Sequence, residues 1–330
     1  MSQSESLNPS QHQPVLLSKV VEALKLRVDG IYVDCTFGRG GHTQAILNGL
    51  GTAGQVLAFD QDPEAVEAAQ TLSVDNRFSI VHSDFAQLAQ LVDKRGWLAK
   101  VNGVLLDLGV SSPQLETSAR GFSFTHNGPL DMRMNPTHSQ SIGEWLSQTT
   151  ADEITQVLRT YGEEPHARRV ATAIVAAREQ EELKTTHQLA EIIASAIPRP
   201  SSNSTSRFNK GKPKKKGIFK HPATRSFQGL RIFINRELEQ LQQVLPQVLD
   251  VLAPGGRLVV ISFHSLEDRI VKRFIRDSVR GDDFPPYLPI TKDALHPSLR
   301  AIGKPNFPSD DEVAENPRAR SAVMRVAERC

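Results

Sequence analysis

The sequence predicts an α/β fold, a mostly parallel sheet covered by helices and interrupted by a long helical insertion. Three observations predict it. Short apolar runs alternate with helical periodicity up to residue 114; the alternation stops over 115–221; and a strand pattern returns from 222 to 330.

The elements follow in order. Residues 30–33 read as a buried strand, Gly38-Arg39-Gly40-Gly41 as a tight turn that brings backbone close to a ligand, and 43–50 as a helix. A second apolar run, 55–59, is the neighbouring parallel strand and ends in Asp60. Asp62 and Pro63 have the residue types of an N-cap and a first helical position, and helical periodicity continues over 65–72. Residues 77–82 read as a third strand leading into Ser83-Asp84-Phe85, and 87–92 as a helix. The run Gly103-Val104-Leu105-Leu106-Asp107 is almost wholly apolar, as a central strand covered on both faces should be.

The inserted region reads as loop and then helices at 142–146, 153–158, 166–178 and 189–196, with capping-box patterns at Thr150-x-x-Glu153 and Thr185-x-x-Gln188. Residues 198–217, rich in Ser, Asn, Lys and Pro, are expected to form a mobile basic loop. Beyond it, 226–252 reads as one long helix, Pro254-Gly255-Gly256 as a turn, 257–263 as a fifth strand, and His264-Ser265-Leu266 as the opening of a helix through 275. Segments 299–303 and 322–326 are expected to pair antiparallel at the sheet edge, connected through 310–320.

Composition narrows the function. The 330-residue length suggests a main domain plus a second one. No apolar run approaches the length of a membrane span, and residues 1–13 lack a signal-peptide core, so a cytoplasmic protein without a membrane partner is expected. Cys35 and Cys330 are the only cysteines and are far apart, which points to neither a disulfide framework nor a structural zinc site, and no metal is expected. The net charge is only +2, yet Arg207, Lys210, Lys212, Lys214, Lys215, Lys216 and Lys220 share a stretch without one acidic residue.

A glycine turn joined to a strand-end carboxylate describes a nucleotide-like cofactor site, in which Asp60 accepts hydrogen bonds from two ribose hydroxyls. Thr43 stands where a dinucleotide fingerprint has its third glycine, which argues against NAD. A dehydrogenase is disfavoured further because none of Tyr32, Tyr161 or Tyr287 is followed four residues later by lysine. A non-enzymatic nucleic-acid-binding regulator would explain the helical insertion but not the cofactor cleft.

Four motifs together are more specific: Thr36-Phe37-Gly38-Arg39-Gly40-Gly41-His42, Leu106-Asp107-Leu108-Gly109-Val110-Ser111-Ser112-Pro113-Gln114, Gly128-Pro129-Leu130-Asp131-Met132-Arg133-Met134 and Ile261-Ser262-Phe263-His264-Ser265-Leu266-Glu267-Asp268-Arg269. In them the chain resembles the bacterial RsmH (MraW) family. The resemblance extends through Tyr161-Gly162-Glu163-Glu164, His221-Pro222-Ala223-Thr224-Arg225 and Glu315-Asn316-Pro317-Arg318-Ala319-Arg320, and so spans residues 12–328.

The resemblance implies a Rossmann-like class I methyltransferase sheet, with 1–114 and 222–330 as the S-adenosylmethionine-dependent methyltransferase domain and 115–221 as a helical substrate-recognition insertion. It implies methylation of the exocyclic N4 of a cytidine in 16S small-subunit ribosomal RNA near the P site, within the assembling or assembled subunit. A methyltransferase acting on another nucleic-acid amino group is the alternative. It further implies that Gly38, Gly40, Gly41 and His42 lie along the cofactor, with Asp60 on its ribose, Phe85 against its adenine, and Asp107 and Gln114 lining the same cleft. The basic stretch around 207–216 is longer than the family's usual connection, so its role is not inherited.

Methyl transfer from a sulfonium is an in-line displacement and needs no metal or covalent nucleophile. The N4 lone pair is delocalised into the ring, so an acceptor bonded to its N–H would raise nucleophilicity, and Ser111 and Ser112 are the catalytic candidates. Their setting is similar to the Ser-Pro-Pro-aromatic motif of DNA cytosine-N4 methyltransferases, without the second proline and the aromatic that stacks on the base. Asp107 and His264 remain open to more than one role, with cofactor contact favoured for Asp107. A base must leave its stack to react, which favours a single-stranded or looped target. Arg168 and Arg169 on the insertion, with Lys212, Lys214, Lys215 and Lys216, are candidate phosphate contacts.

Overall fold

The computed structural model describes residues 14–137, 140–198, 221–281 and 296–330. They form two compact units, one running to Ser111 and resuming at Glu237, the other comprising Ser112–Arg236.

The first unit holds a seven-stranded sheet: β1 (Ile31–Asp34), β2 (Gln55–Asp60), β3 (Phe78–His82), β4 (Val101–Asp107), β5 (Leu252–Ser262), β6 (Leu299–Ala301) and β7 (Val323–Arg329), in the order β3-β2-β1-β4-β5-β7-β6. The first five are parallel; β7 runs antiparallel to β5, and β6 antiparallel to β7. This is the Rossmann-like α/β sheet expected, with the terminal pair at its edge. Helices α1 (Leu17–Leu24), α2 (Gly41–Asn48), α3 (Pro63–Ala68), α4 (Leu88–Asp93), α11 (Glu237–Val251), α12 (Ser265–Arg280) and α13 (Asp310–Glu315) belong to this unit.

Alternate strand residues serve opposite faces, because strand side chains have a period of two. Val33, Leu57 and Leu106 pack with Leu241, Val244 and Val248 of α11 on one face. Tyr32, Val56 and Leu105 pack with Val20 and Leu24 of α1 on the other. Coverage on both faces explains why these strands are apolar almost throughout. Strand order reverses between β1 and β4, so the carboxyl ends of those strands, at Asp34 and Asp107, flank the crevice in which such sheets place ligands.

Three local features differ from the sequence reading. The expected single helix over 226–252 is two, α10 (Thr224–Ile234) and α11. The break follows from Asn235, whose Nδ2 donates to the Met132 carbonyl at 2.7 Å and whose Oδ1 accepts from the Met134 amide at 2.7 Å, while Arg236 turns the chain with φ 53°. Pro254-Gly255-Gly256, expected as a turn before the strand, lies inside β5, whose pairing with β4 shifts between Val101↔Leu252 and Gly103↔Arg257. Helix α1, which was not anticipated, is short and bounded by Leu16 and Lys25 in the left-handed region, so no N-cap residue announces it.

The second unit contains α5 (Ser112–Glu116), α6 (Ile142–Gln148), α7 (Ala151–Thr160), α8 (Ala167–Arg178), α9 (Thr186–Ala196) and α10. Both expected capping boxes form, and Ser141 with Glu144 makes a third at α6. Ile142, Leu158, Val170, Ile174, Leu189 and Leu230 meet in the core. The sequence reading returns the chain to the sheet domain at 222, whereas the compact unit extends to Arg236, because Phe227, Leu230 and Ile234 of α10 are buried in this helical core. The basic stretch, including Lys212, Lys214, Lys215 and Lys216, lies outside the described residues. Among the described residues no helix is long and apolar enough to cross a membrane.

Candidate cofactor-binding site

A helix leaves its first amide N–H groups without intrahelical partners, and a side chain usually supplies an acceptor. The strand-to-helix junctions of the parallel sheet mostly follow that rule. After β2, Asp62 caps α3 by accepting from the Glu64 amide at 3.0 Å. After β3, Asp84 accepts from the Ala86 amide at 3.0 Å to start a short 3-10 turn, Phe85–Gln87. After β5, His264 and Glu267 form a capping box on α12. The junction after β1 has no such cap: the N-cap of α2 is Gly40, in the left-handed region with φ 76°, and among the described residues no side chain caps the helix. Helix starts of this kind favour an acceptor carried by a ligand.

The glycines fix the shape of that turn. A Cβ on Gly40 would stand 2.6 Å from the Phe37 ring, on top of the strain of its positive φ. A Cβ on Gly41 would meet Pro14 at 2.2 Å, whereas Gly38, with φ 57°, has nothing within 4 Å and needs glycine for its backbone alone.

Asp60 ties the turn to β2. Its Oδ2 accepts from the Gly38 amide at 2.8 Å and its Oδ1 from the Asp62 amide at 2.8 Å. Each carboxylate oxygen therefore keeps acceptor capacity for one more donor, as a pair of ribose hydroxyls requires. Burial pushes the Asp60 carboxyl up to about 6, against the two amide hydrogen bonds that favour its ionised form.

Behind the turn lies a second carboxylate, Asp34, which sequence reasoning did not assign. It is fully buried, accepting from the Thr43 hydroxyl at 2.7 Å and from the Thr36 amide at 3.1 Å. Thr36 in turn accepts, through its hydroxyl, from the Asp107 amide at 2.7 Å, so one hydrogen-bonded chain links the ends of β1 and β4 to the start of α2. Burial holds the Asp34 carboxyl above its ordinary range. The available signal was an aspartate at the end of the first apolar run, echoing Asp107 at the end of the fourth. Neighbouring Cys35 is buried, which pushes its thiol well above the usual range and leaves it a packing residue.

His42 and Asp107 face each other within this arrangement. The His42 Nε2 lies 3.4 Å from Asp107 Oδ2, longer than a good hydrogen bond. Burial works against protonation of His42, but the Asp107 carboxylate, with Asp34 behind it, outweighs burial and holds the imidazole above its ordinary value. The His42 Nδ1 and Asp107 Oδ1 are buried and have no hydrogen-bond partner among the described residues. Orphaned polar atoms on two facing side chains at a topological switch point are the feature expected of a site that completes its hydrogen bonds with a ligand.

The other sequence-predicted residues are placed as follows. Phe85 opens the turn at the carboxyl end of β3, half-buried beside the strand that carries Asp60. Ser111 ends the first stretch of the sheet unit, while Ser112 and the buried Gln114 lie in α5 of the helical unit. Arg168 and Arg169 are exposed in the first turn of α8. Gly38, Gly40, Gly41, His42, Asp60 and Asp107 are thus brought together within one unit. Among the described residues, one set of donors with metal-ligand reach, Glu237, His264 and Glu267, lies within 4.8 Å. There the Nδ1 accepts from the Glu267 amide in the capping box, and the imidazole Nε2, 3.1 Å from the Glu267 carboxylate, is buried without a hydrogen bond among the described residues.

Residues 9–330 match the model of the MraW methylase family. The chain belongs to that family. A curated relative, ribosomal RNA small subunit methyltransferase H of Nitrosococcus oceani, is 55% identical over 322 residues, which cover 97% of this chain and 97% of the relative. Among solved structures, an rRNA methylase from Streptococcus thermophilus is 12% identical with TM-score 0.40, covering 95% of this chain and 93% of that one. A SAM-dependent O-methyltransferase from Thermotoga maritima is 10% identical with TM-score 0.39, covering 97% of this chain and 67% of that one. Family membership makes the protein a methyltransferase that uses S-adenosylmethionine as its cofactor, in agreement with the expectation from its motifs.

Proposed function

We propose that the protein methylates the exocyclic N4 of a cytidine in 16S small-subunit ribosomal RNA, near the P site, with the RNA presented in the assembling or assembled subunit in the cytoplasm. The observation that carries the reading is the 55% identity, over nearly the full length of both chains, to a small-subunit ribosomal RNA methyltransferase.

The residues present fit S-adenosylmethionine. Asp60 retains acceptor capacity for two ribose hydroxyls, and Phe85 offers an aromatic face for the adenine. The uncapped start of α2 with Gly38, Gly40 and Gly41 suits the methionine carboxylate, to which the orphaned His42 Nδ1 could also donate, and the orphaned Asp107 Oδ1 suits the adjoining ammonium. Gln114 is assigned to the same cleft. When bound, the cofactor supplies an electrophilic methyl group on a sulfonium.

The protein's own task is to hold the amine in line with that methyl group and to exclude water. Ser111 and Ser112, after β4, are assigned as hydrogen-bond acceptors from the N4–H, raising nucleophilicity as positive charge develops on nitrogen. The second unit, with Arg168 and Arg169 exposed on α8, is assigned to substrate recognition, together with the basic stretch carrying Lys212, Lys214, Lys215 and Lys216.

The test is nucleoside mass spectrometry of small-subunit ribosomal RNA from cells lacking the protein, after incubation with the protein and isotopically labelled S-adenosylmethionine. Labelled N4-methylcytidine is the expected product. Label in a different nucleoside would move the reaction to another amino group, and no label on either assembled subunits or free RNA would overturn the ribosomal substrate.

A further inference from the structure

We propose that Phe124 and His221 form a platform on which an unpaired base of the RNA substrate stacks; this rests on the RNA methyltransferase reading above and assigns residues of the helical unit to it. The two rings lie 4.6 Å apart between centroids at 36°. Phe124 is itself held from behind by Phe227 in an edge-on contact at 4.8 Å and 76°, and Phe227 is buried in the helical core. His221 is exposed, so the stack runs from the core through a half-buried phenyl ring to an imidazole at the surface.

The imidazole is also fixed along its edge. The Ala223 amide donates to His221 Nδ1 at 3.2 Å, which leaves the proton on Nε2 and prevents the ring from turning away from Phe124. An acceptor for the Ala223 amide, which precedes α10, needs only a short polar side chain such as Ser, Asn or Asp. It does not need an aromatic ring laid on another aromatic ring and left open to solvent. A ring fixed on one face and one edge, with exposed surface remaining, is pre-organised for a further planar group.

The sequence leading into His221 carries the charge that a polyanion with planar groups would meet. His221 directly follows Arg207, Lys210, Lys212, Lys214, Lys215, Lys216 and Lys220 in a stretch, 199–220, that contains no acidic residue. Arg168 and Arg169 are exposed at the start of α8, and the approach to that helix, at Gly162, packs against the Arg225 carbonyl of α10, a few residues beyond His221. Cations that hold phosphates beside an aromatic face that holds a base are the two components of single-strand RNA recognition.

The experiment compares wild type with His221→Ala, His221→Gln and His221→Tyr, measuring kcat and KM for methyl incorporation into small-subunit RNA, S-adenosylmethionine affinity by calorimetry, and Tm. His221→Ala and His221→Gln are expected to raise KM for RNA roughly 5- to 100-fold, the range observed when one stacking aromatic is removed, with kcat and cofactor affinity retained. His221→Tyr keeps a stacking ring without the Nδ1 acceptor and is expected to restore most of the lost affinity. Wild-type KM in the Ala and Gln variants would overturn the platform and leave the methyltransferase reading intact. Equal loss in all three variants with a lowered Tm would also overturn it, as the signature of a helix cap. No methylation of any RNA by the wild type would instead remove the reading on which the platform rests.

Discussion

Two loops of the same sheet begin alike and resolve oppositely. β1 and β5 flank β4, run parallel to it, and each passes at its carboxyl end into a helix through a histidine-bearing motif. After β5, the Glu267 carboxylate accepts from the Phe263 and His264 amides and His264 Nδ1 accepts from the Glu267 amide, so side chains cap α12, with His264 Nε2 left buried beside the Glu267 carboxylate. After β1, Gly40 gives α2 no side-chain cap, and the His42 Nδ1 beside it is buried without a partner among the described residues. Helix starts at strand ends are common. What separates the two is the helix start: side chains serve the first amides of α12, and the N-cap of α2 offers none.

The comparison breaks most visibly at Asp60. Asp60→Ala removes a charged acceptor of two backbone amides and of the assigned ribose hydroxyls, so S-adenosylmethionine affinity by calorimetry should fall roughly tenfold to a hundredfold, as for hydrogen bonds to charged groups. Unchanged affinity would remove the ribose assignment. The glycines sharpen the same point. Gly40→Ala adds a clash with Phe37 to a left-handed backbone and should cost about 1–3 kcal/mol of stability in denaturant unfolding as well as weakening cofactor binding. Gly38→Ala meets no neighbour, so it should cost only the strain of its φ, about 1 kcal/mol. Equal losses for the two would show that the Phe37 contact does not shape the turn.

Asp60 also sets a pH dependence. Below 3.8 its carboxyl is protonated in both folded and unfolded chains, and between 3.8 and about 6 only the folded protein holds the proton. The ligand-free protein therefore loses stability from this group as pH rises through that window, and the loss is complete above about 6. Cofactor affinity runs the other way, rising as pH passes about 6 and the carboxylate becomes a full acceptor. Calorimetry across this range should show the rise in wild type and its loss near pH 6 in Asp60→Asn, leaving the titration of His42 at higher pH.

How far the sequence discloses this arrangement depends on the range of the interactions involved. The first four strands, the glycine turn, the Asp62 cap and the capping boxes at Thr150 and Thr185 are local patterns and lie close to where their residues predict, whereas β5 takes in the expected turn at Pro254-Gly255-Gly256. The end of α10 was not legible, because Asn235 stops that helix by bonding to Met132 and Met134, about a hundred positions earlier in the chain. Asp34 was hidden for a similar reason: its importance comes from Thr36, which joins it to Asp107 on a strand adjacent only in space. His264 stayed open in the sequence between a contact with substrate or cofactor and a cap on the following helix, and the geometry of Glu267 shows the cap.

That last residue gives the smallest expected effect. His264→Ala should cost about 1 kcal/mol of stability, the usual loss for an N-cap, and leave S-adenosylmethionine affinity unchanged in the same titrations. A large loss of affinity would mean that the β5 junction is part of the cofactor site after all.

The most direct test of the contrast between the two junctions is amide hydrogen exchange with and without S-adenosylmethionine. Marked slowing at Gly38 through Gln44, with no change at Phe263 through Asp268, is the result that the open and closed junctions predict. Protection at Phe263 through Asp268 with none at Gly38 through Gln44 would contradict it and move the cofactor to the other side of β4.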